Sequence, residues 1–403
     1  MPAKGSTVLE RLLWQEENMD PARDDKARVS KYRSYRKRVI ALVIAVVVVI
    51  AGFSVYYSLI SKPTGEKTLT VYTYSSFMAY GPNKTKAFNA VFGTFEKAHN
   101  VKIVVKTPGN GILQQLQAEK NNPRADIVIG LTNMNGVVAS SQGLLVNYTP
   151  PADSYINSSL LKDMGSAASY ITPYEYSYLG IDYNKSFVNS TSSAVNGSFM
   201  PSFGDLAGSA LASNLLLENP TVDDTGLGFL LWQIAYYKYV LHDSNWTDWW
   251  NATKPYTQGH IYDSWDTAFS YFDTGNHTNL LVSYLTDPAY NNFFGYGNST
   301  GSSVTYHNGT AYGWRTIYGT GIVNGSSNLT LDKEFVNYFL SPTVQNEIPT
   351  NEWMYPANSS IALPPSFDVL PNQNNIYPLN NYVTASDIAA NIQTWETQWL
   401  NLQ

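Results

Sequence analysis

Three strand-like runs alternate with two helical runs early in the chain, and this order restricts the fold more than any other feature. LTVYTY (69–74), VKIVVKT (101–107) and ADIVIGL (125–131) are rich in the β-branched and aromatic residues typical of strands. TKAFNAVFGTFEKAHN (85–100) and ILQQLQAEKNN (112–122) lie between them with helical spacing. ADIVIGL is apolar throughout, as in a strand buried inside a parallel sheet. The β-α-β-α-β order predicts an α/β fold built on a doubly wound sheet.

Later parts of the chain continue this mixture. Strands are predicted at 174–184, 215–220 and 280–285, and helices at 229–241, 332–340 and 384–400. IPTNEWMYPA (348–357) does not fit either pattern, because Pro349 and Pro356 lie so close together. We predict that it is an ordered loop that presents the ring of Trp353 to a ligand.

Polar and glycine-containing turns follow each of the first three strands. These turns are Tyr74-Ser75-Ser76, Pro108-Gly109-Asn110-Gly111 and Thr132-Asn133. In open α/β sheets, ligands bind beyond the carboxyl ends of the strands. The sequence therefore predicts a ligand site at this edge of the sheet.

An uncharged apolar run precedes this region. Residues 39–60, VIALVIAVVVVIAGFSVYYSLI, are long enough to cross a bilayer as a helix. Six Lys and Arg residues between 28 and 38 come just before it, which places the N-terminus in the cytoplasm. A cleaved signal peptide is the alternative, but the 38-residue leader is long for one and no A-x-A site is obvious. We predict a basic cytoplasmic tail (1–38), a membrane anchor (39–60), a linker (61–67) and an extracellular domain.

Sequons support that orientation. All fourteen N-x-[ST] sequons follow the apolar run, so glycosylation outside the cell is predicted. They lie at Asn83, Asn147, Asn157, Asn184, Asn189, Asn196, Asn245, Asn251, Asn276, Asn298, Asn308, Asn324, Asn328 and Asn358.

Charge and composition exclude several classes of function. Residues 1–60 hold 10 Lys and Arg against 6 Asp and Glu, whereas residues 61–403 hold 15 against 25. The acidic balance of the larger part argues against nucleic acid as a partner. The chain has no Cys, and its five His residues show no metal-binding spacing, so no metal or other cofactor is expected.

Several stretches resemble one family. The chain resembles the thiamine-binding proteins of ABC transporters, a branch of the type II, two-lobed solute-binding proteins, in order from about residue 68 to 400. The matching stretches are LTVYTYSSF (69–77), YGP (80–82), ADIVIGL (125–131), TGLGFLLW (225–232), SYLTDPAY (283–290), SPTVQNEIPTNEWMYPA (341–357) and LPPSF (363–367).

This resemblance implies a two-lobed fold, with each lobe a doubly wound sheet flanked by helices. It implies that lobe 1 comprises 68–178 plus 312–403, that lobe 2 comprises 179–311, and that the lobes close on thiamine or a thiamine phosphate. An ABC permease in the membrane would receive the ligand. The implied ligand-binding residues are Tyr74, Asn110, Gly111, Asp223, Trp265, Tyr284, Tyr290 and Trp353.

Three positions depart from the family pattern. Asn110 stands where the family has an acidic residue, and Asp223 stands where the family has a phosphate-binding Ser. Ser75 stands where the family has an Asp after the Tyr of the first strand. A carboxylate at Asp223 would repel a phosphate. We therefore hypothesise that the ligand is unphosphorylated thiamine, with Asp223 accepting its hydroxyl.

The residue types suit such a ligand. Aromatic faces attract a thiazolium cation and stack on a pyrimidine, at about 0.5–2 kcal/mol per contact. Trp265 and Trp353 are the predicted stacking walls, and ordinary packing is their alternative role.

The backbone N–H groups of Gly226 and Gly228 could meet an anion or hydroxyl, or the TGLG stretch could be a plain turn capped by Thr225 or Asp224. Tyr284 and Tyr290 could supply hydroxyl donors, and a structural role, the more frequent one for a single buried Tyr, is their alternative.

The same residues allow other functions to be considered. Asp223 and Asp224 could form a carboxylate pair for glycoside hydrolysis, but adjacent residues on one turn rarely flank a bond from opposite faces. No G-x-S-x-G stretch with a His and no metal cluster accompanies them, so we predict that the chain is not an enzyme. A solute-binding protein for another small cationic or aromatic ligand is the alternative, followed by a cell-surface adhesive protein.

Overall fold

The computed structural model describes residues 67–403 apart from 110, 190, 192, 196–197, 275–277, 297–298 and the side chains at 194–195. The described residues lie in one compact unit that spans Pro63–Gln403. The predicted tail, membrane helix and residues 61–66 of the linker lie outside them. Among the helices of the described ranges, none has the length and apolar character needed to cross a membrane.

Strands run through the whole described region. They are β1 (Lys67–Tyr72), β2 (Val101–Lys106), β3 (Ile127–Thr132), β4 (Ile171–Asn184), β5 (Ala194–Val195), β6 (Ser198–Phe199), β7 (Leu215–Glu218), β8 (Ile261–Tyr262), β9 (Leu280–Tyr284), β10 (Thr300–Ser303), β11 (Thr305–His307), β12 (Thr310–Gly313), β13 (Arg315–Ile322), β14 (Tyr355–Pro356) and β15 (Ile376–Pro378). The strands predicted from the early alternation are β1, β2 and β3, so that part of the prediction is confirmed.

The main sheet has the order β2-β1-β3-β13-β4-β9-β7-β8. β1 is parallel to β2 and β3, and β7 is parallel to β8 and β9. β13 is antiparallel to β3 and β4, and β9 is antiparallel to β4. The sheet therefore contains two parallel groups, joined through the antiparallel strands β13 and β4.

β4 connects these two groups because it is 14 residues long and changes partner along its length. Its first half pairs with β13 as far as Tyr178, which lies opposite Arg315. From Leu179, opposite Tyr284, it pairs with β9. This change lies at the predicted lobe boundary between 178 and 179, and the division into lobes stays a prediction.

Helices cover the strands. The α-helices are Lys84–Phe88, Thr94–His99, Ile112–Ala118, Asn135–Ser141, Ser158–Met164, Lys185–Val188, Phe203–Leu206, Ser209–Ala212, Asp224–Tyr239, Trp246–Thr257, Trp265–Asp273, Asp287–Phe294, Leu329–Phe339, Pro342–Gln345, Ile348–Asn351 and Ala385–Leu400. Short 3-10 turns occupy Pro151–Tyr155, Gly165–Ser169, Pro365–Val369, Gln373–Asn375 and Leu379–Asn381. The helix predicted at 85–100 contains a π-helical segment, Asn89–Gly93, and ends at Asn100 in the left-handed conformation.

The stretch 348–357 is not the loop predicted from its prolines. Pro349 lies in the first turn of the helix Ile348–Asn351, where its missing N–H is not needed. Pro356 lies in β14, which pairs with β4. Trp353 connects the two with a φ of 57°, a left-handed conformation that is uncommon for a residue with a side chain.

Burial decides the role of two sequence features. The stretch WTDWWN (246–251) places Trp246, Trp249 and Trp250 in the core, so these rings are packing residues. Asn358, a predicted glycosylation site, is only 1% exposed and donates to the carbonyl of Leu340. A glycan has no room there, so the prediction for Asn358 is wrong in this fold.

Candidate functional site

A cavity of about 550 Å³ opens at the edge of the sheet that the sequence predicts. Residues that follow β1, β2 and β3 line one side of it, and residues that follow β7 and β9 line the other. Small-molecule sites typically occupy about 300–1,000 Å³, so this cavity is large enough for a vitamin-sized solute.

The cavity brings together seven of the eight predicted ligand-binding residues. They are Tyr74, Gly111, Asp223, Trp265, Tyr284, Tyr290 and Trp353. Asn110 lies outside the described residues. Gly111 has a φ of 88°, and a Cβ there would lie 2.6 Å from Oε1 of Gln114, so the turn after β2 favours glycine.

Asp223 caps the helix Asp224–Tyr239. Its Oδ1 accepts the N–H groups of Thr225 at 2.8 Å and Gly226 at 3.2 Å, and its Oδ2 accepts the N–H of Trp265 at 3.0 Å. The N-cap is therefore Asp223 and neither Thr225 nor Asp224. The amide of Gly226 is already used by this cap, which contradicts its proposed role as a donor to ligand.

Replacing Asp223 by Ala should lower the free energy of unfolding by about 1–2 kcal/mol, because the helix loses its N-cap. Asp223→Asn is the matched control, and it should lose less because Asn caps helices nearly as well. Urea unfolding followed by circular dichroism measures both values. Equal stability of the Ala variant and the wild type would contradict the capping role.

Trp265 begins the next helix along the cavity wall. Its ring stacks on Phe269 with centroids 4.9 Å apart, and its indole N–H donates to Oγ of Ser283 at 2.8 Å. Ser283 donates in turn to the carboxylate of Asp287. The indole is thus held in one orientation while its half-buried ring lines the cavity.

Asp287 faces a second buried carboxyl group. Asp182 on β4 is 4% exposed, and burial together with the charge of Asp287 raises its pKa well above the ordinary value. Burial also raises the pKa of Asp287, against the effect of the hydrogen bond from Ser283. This pair lines the cavity beside Trp265.

Trp353 is packed more tightly than the sequence prediction implies. Its side chain is 4% exposed, and its indole N–H donates to the carbonyl of Tyr80 at 3.2 Å. Tyr290 meets the ring edge-on at a centroid distance of 5.3 Å, and Phe293 and Phe294 also contact it. Contacts with other side chains therefore cover most of the Trp353 ring, and only its edge lines the cavity.

Tyrosines that line the cavity use their hydroxyl groups to hydrogen-bond neighbouring side chains. Tyr284 shares hydrogen bonds with Tyr318 at 2.6 Å and with Oγ1 of Thr225 at 3.1 Å. Tyr80 donates to Oδ1 of Asp266 at 2.5 Å, and its ring meets Trp265 edge-on. The contacts of Tyr284 with Tyr318 and of Tyr80 with Asp266 join residues of the two predicted lobes.

A similar contact involves Asp224. Nδ2 of Asn135 donates to both of its carboxylate oxygens, at 2.9 and 3.1 Å. Burial and the neighbouring charge of Asp223 raise the pKa of Asp224 to about 7. Asp223 and Asp224 are thus both held by protein N–H groups, which leaves little support for a hydrolytic pair.

The charge of the lining has one sign. Among the described residues that line the cavity, none is Lys, Arg or His, whereas nine carry carboxyl groups. These nine are Glu175, Asp182, Asp223, Asp224, Asp266, Asp273, Asp287, Glu352 and Glu396. Such a cavity attracts a cation and repels an anion.

Lining residues that the sequence does not single out include Tyr80, Glu175, Asp266 and Glu352. Glu352 directly precedes the apolar run Trp353-Met354-Tyr355, and a charge at this place was the available signal. Glu175 lies on β4, in a run with strand-like alternation, and nothing in that pattern shows which face meets a cavity.

The sequence matches the profile of the bacterial extracellular solute-binding protein family over residues 81–346. The chain belongs to this family. Among curated relatives, the thiamine-binding periplasmic protein of Salmonella typhimurium is 28% identical over 342 residues, covering 82% of this chain and 92% of that protein. The protein of the same name from Escherichia coli is 27% identical, and that from Brucella suis is 28% identical.

Solved structures agree on the fold. A periplasmic thiamin binding protein superposes with a TM-score of 0.68 at 24% identity, covering 85% of this chain and 98% of that one. The fructose-6-phosphate-bound AfuA of Actinobacillus pleuropneumoniae gives 0.64, and the iron-bound HitA of Pseudomonas aeruginosa gives 0.61. The predicted two-lobed α/β fold is therefore confirmed. Because relatives of this fold hold such different solutes, the ligand has to be inferred from the cavity itself.

Proposed function

We propose that this solute-binding protein is the extracellular component of an ABC importer and that it captures thiamine in preference to thiamine phosphates. The observation that carries the proposal is the lining of the cavity, in which carboxyl groups and aromatic rings occur without a described basic residue. Thiamine combines a fixed positive charge on its thiazolium ring with a flat pyrimidine, and both suit such walls. The curated relatives named above carry thiamine binding in their names.

In this proposal Trp265 stacks on the ligand, and Tyr74, Tyr284 and Tyr290 contact it with their rings or hydroxyl groups. Gly111 lies on one side of the pyrimidine, and Asn110, which lies outside the described residues, stays a predicted contact. Trp353 supports Tyr290 from behind. Asp223 positions Trp265, and any bond to the ligand hydroxyl would use the remaining lone pairs of its carboxylate.

Capture would proceed by closure of the two predicted lobes over the solute, and the closed form would dock on a membrane permease. Residues 39–60 would anchor the chain with its basic tail in the cytoplasm and its binding domain outside. The chain would then be a transport protein and not an enzyme.

Titration calorimetry of the full chain with thiamine tests this function. We expect saturable binding of thiamine and much weaker binding of its neutral aminopyrimidine half, because the cavity recognises charge. Putrescine serves as a competing cation without an aromatic ring. Stronger binding of putrescine than of thiamine would favour the alternative function, capture of a different cationic solute.

Trp265→Ala should weaken thiamine binding about 10-fold, since loss of a stacking and cation–π contact costs about 1–2 kcal/mol. Trp265→Phe keeps an aromatic face and should lose less. The same titration measures both variants. Unchanged affinity in Trp265→Ala would show that this ring is not a wall of the ligand site.

A further inference from the structure

Two glutamates face the cavity from separate elements, with one tyrosine between them. Glu175 belongs to β4, and Glu352 follows the helix Ile348–Asn351. The hydroxyl of Tyr74 lies 2.7 Å from Oε2 of Glu352 and 3.2 Å from Oε1 of Glu175. A single hydroxyl proton cannot serve both carboxylates fully at once. The pair therefore has fewer donors than two ionised carboxylates need.

The other groups around the pair do not supply a positive charge. The backbone amide of Met78 donates to Oε1 of Glu352, and the hydroxyl of Tyr174 lies 3.2 Å from that of Tyr74. Burial and, to a smaller extent, the charge of Glu352 raise the pKa of Tyr80, a further titratable neighbour. No described Lys, Arg or His lines this cavity.

Glu175 has incomplete hydrogen bonding. It is 1% exposed and lines the cavity, and its Oε2 has no hydrogen-bond partner among the described residues, whereas its Oε1 accepts the hydroxyl of Tyr74 at 3.2 Å. An ionised carboxylate that is buried with an unsatisfied oxygen is costly. A proton or a cation bound at this position would therefore stabilise Glu175.

We propose that Glu175 and Glu352 form a subsite for the positively charged centre of the ligand, and that this subsite holds a proton when empty and releases it when the cation binds. The inference rests on the proposed function, because thiamine is the cation that supplies the charge. The exchange balances without any further reactant: the cation enters, one carboxylic acid becomes a carboxylate, and the proton passes to the solvent.

The electrostatics of the pair agree with this exchange. Burial raises the pKa of Glu352 to about 8, despite the hydrogen bonds from Tyr74 and Met78. Burial and the charge of Glu352 raise the pKa of Glu175 well above its ordinary value, against the effect of hydrogen bonds from Tyr74 and Tyr174. Both shifts favour a protonated form of the empty pair at neutral pH. A fixed positive charge nearby favours the ionised form and lowers these pKa values.

The direction of the pH dependence follows. Because binding releases a proton, affinity rises with pH, by up to about tenfold per pH unit for one proton released. The rise should level off once the pH exceeds the pKa of the carboxyl group that releases the proton, which for Glu352 is about 8. The thiazolium charge itself does not titrate, so the slope reports on the protein.

The test is calorimetry of the full chain with thiamine between pH 6.5 and 8, in two buffers of different ionisation enthalpy. The difference in heat between the buffers counts the protons released. We expect about one proton per thiamine at pH 7. Glu175→Gln and Glu352→Gln should each abolish most of this release and weaken binding about 10-fold or more. Because Gln resembles a protonated Glu, both variants should keep the melting temperature of the wild type.

Four further variants locate the source of the proton. Glu334→Gln changes an exposed carboxylate outside the lining and should leave the release unchanged. Glu396 and Asp224, whose pKa values are raised to about 7 chiefly by burial, and Asp182 are further candidate sources in the lining. Release that persists in Glu175→Gln but disappears in Glu396→Gln, Asp224→Asn or Asp182→Asn would overturn the inference. Thiamine binding without any proton release would overturn it too, while the proposed function would stand. Absence of thiamine binding at every pH would overturn the proposed function and this inference with it.

Discussion

Thiamine should bind at least about 100-fold more tightly than thiamine diphosphate, which corresponds to about 2.7 kcal/mol. The described lining offers carboxyl groups and no basic residue to a phosphate, and juxtaposing like charges costs several kcal/mol. Thiamine monophosphate should lie between the two. Titration calorimetry of the full chain with each ligand at the same pH and ionic strength gives the three dissociation constants.

Salt provides an internal control for this series. Added salt screens repulsion between the phosphate and those carboxylates that remain in contact with water, so the preference for thiamine should shrink as ionic strength rises. Asp223→Asn removes one negative charge near the predicted phosphate end. It should also reduce the difference in affinity between thiamine and thiamine diphosphate. Equal or tighter binding of the diphosphate would mean that its phosphates meet a cationic group, and the electrostatic basis of the proposed function would then be wrong.

Trp353→Ala should lower the free energy of unfolding by about 3–5 kcal/mol, the usual cost of truncating a buried tryptophan. The ring is 4% exposed and packs against Tyr290, Phe293 and Phe294. Its indole also fixes the carbonyl of Tyr80. Chemical unfolding of the variant and the wild type, followed by tryptophan fluorescence and circular dichroism, measures the difference.

A matched variant separates packing from general loss of an aromatic residue. Tyr155 is 55% exposed, so Tyr155→Ala should change the free energy of unfolding by no more than about 0.5 kcal/mol. If Trp353→Ala is as stable as the wild type and yet loses thiamine binding, Trp353 is a ligand wall and not a packing residue. A stability loss with a smaller effect on affinity than that of Trp265→Ala supports the role inferred from its burial.

Regular elements of the first part of the chain could be predicted because their signals are local. ADIVIGL predicts the buried strand β3, and the apolar spacing of 85–100 predicts a helical segment there. The prediction for 348–357 was wrong, since prolines that break regular patterns also fit the first turn of a short helix and an edge strand.

The helix predicted from residue 229 begins at Asp224, because the glycines of TGLG pack inside its first turns. Gly226 approaches the backbone of Glu218 so closely that a Cβ would lie 2.5 Å from its carbonyl oxygen.

Seven of the eight residues that the resemblance to a family selects line the cavity, and the structure adds what each one contacts. The resemblance predicts Asp223 as a ligand group, whereas its carboxylate caps a helix and accepts the amide N–H of Trp265. Glu175 and Glu352 were not selected at all. They are separated by more than 170 residues, so no local pattern indicates that Tyr74 lies between them.

The sequence by itself determined the α/β class, the carboxyl-end position of the site and the acidic balance of the binding domain. These properties depend on local periodicity, on the order of the strands and on composition. Only the tertiary structure decided which carboxyl groups share one cavity, which of them lack partners, and which tryptophan keeps its ring available. Those properties depend on contacts between distant segments and on burial, because burial sets the cost of leaving a charge unpaired. The proposed affinity of the cavity for a cation rests on that cost.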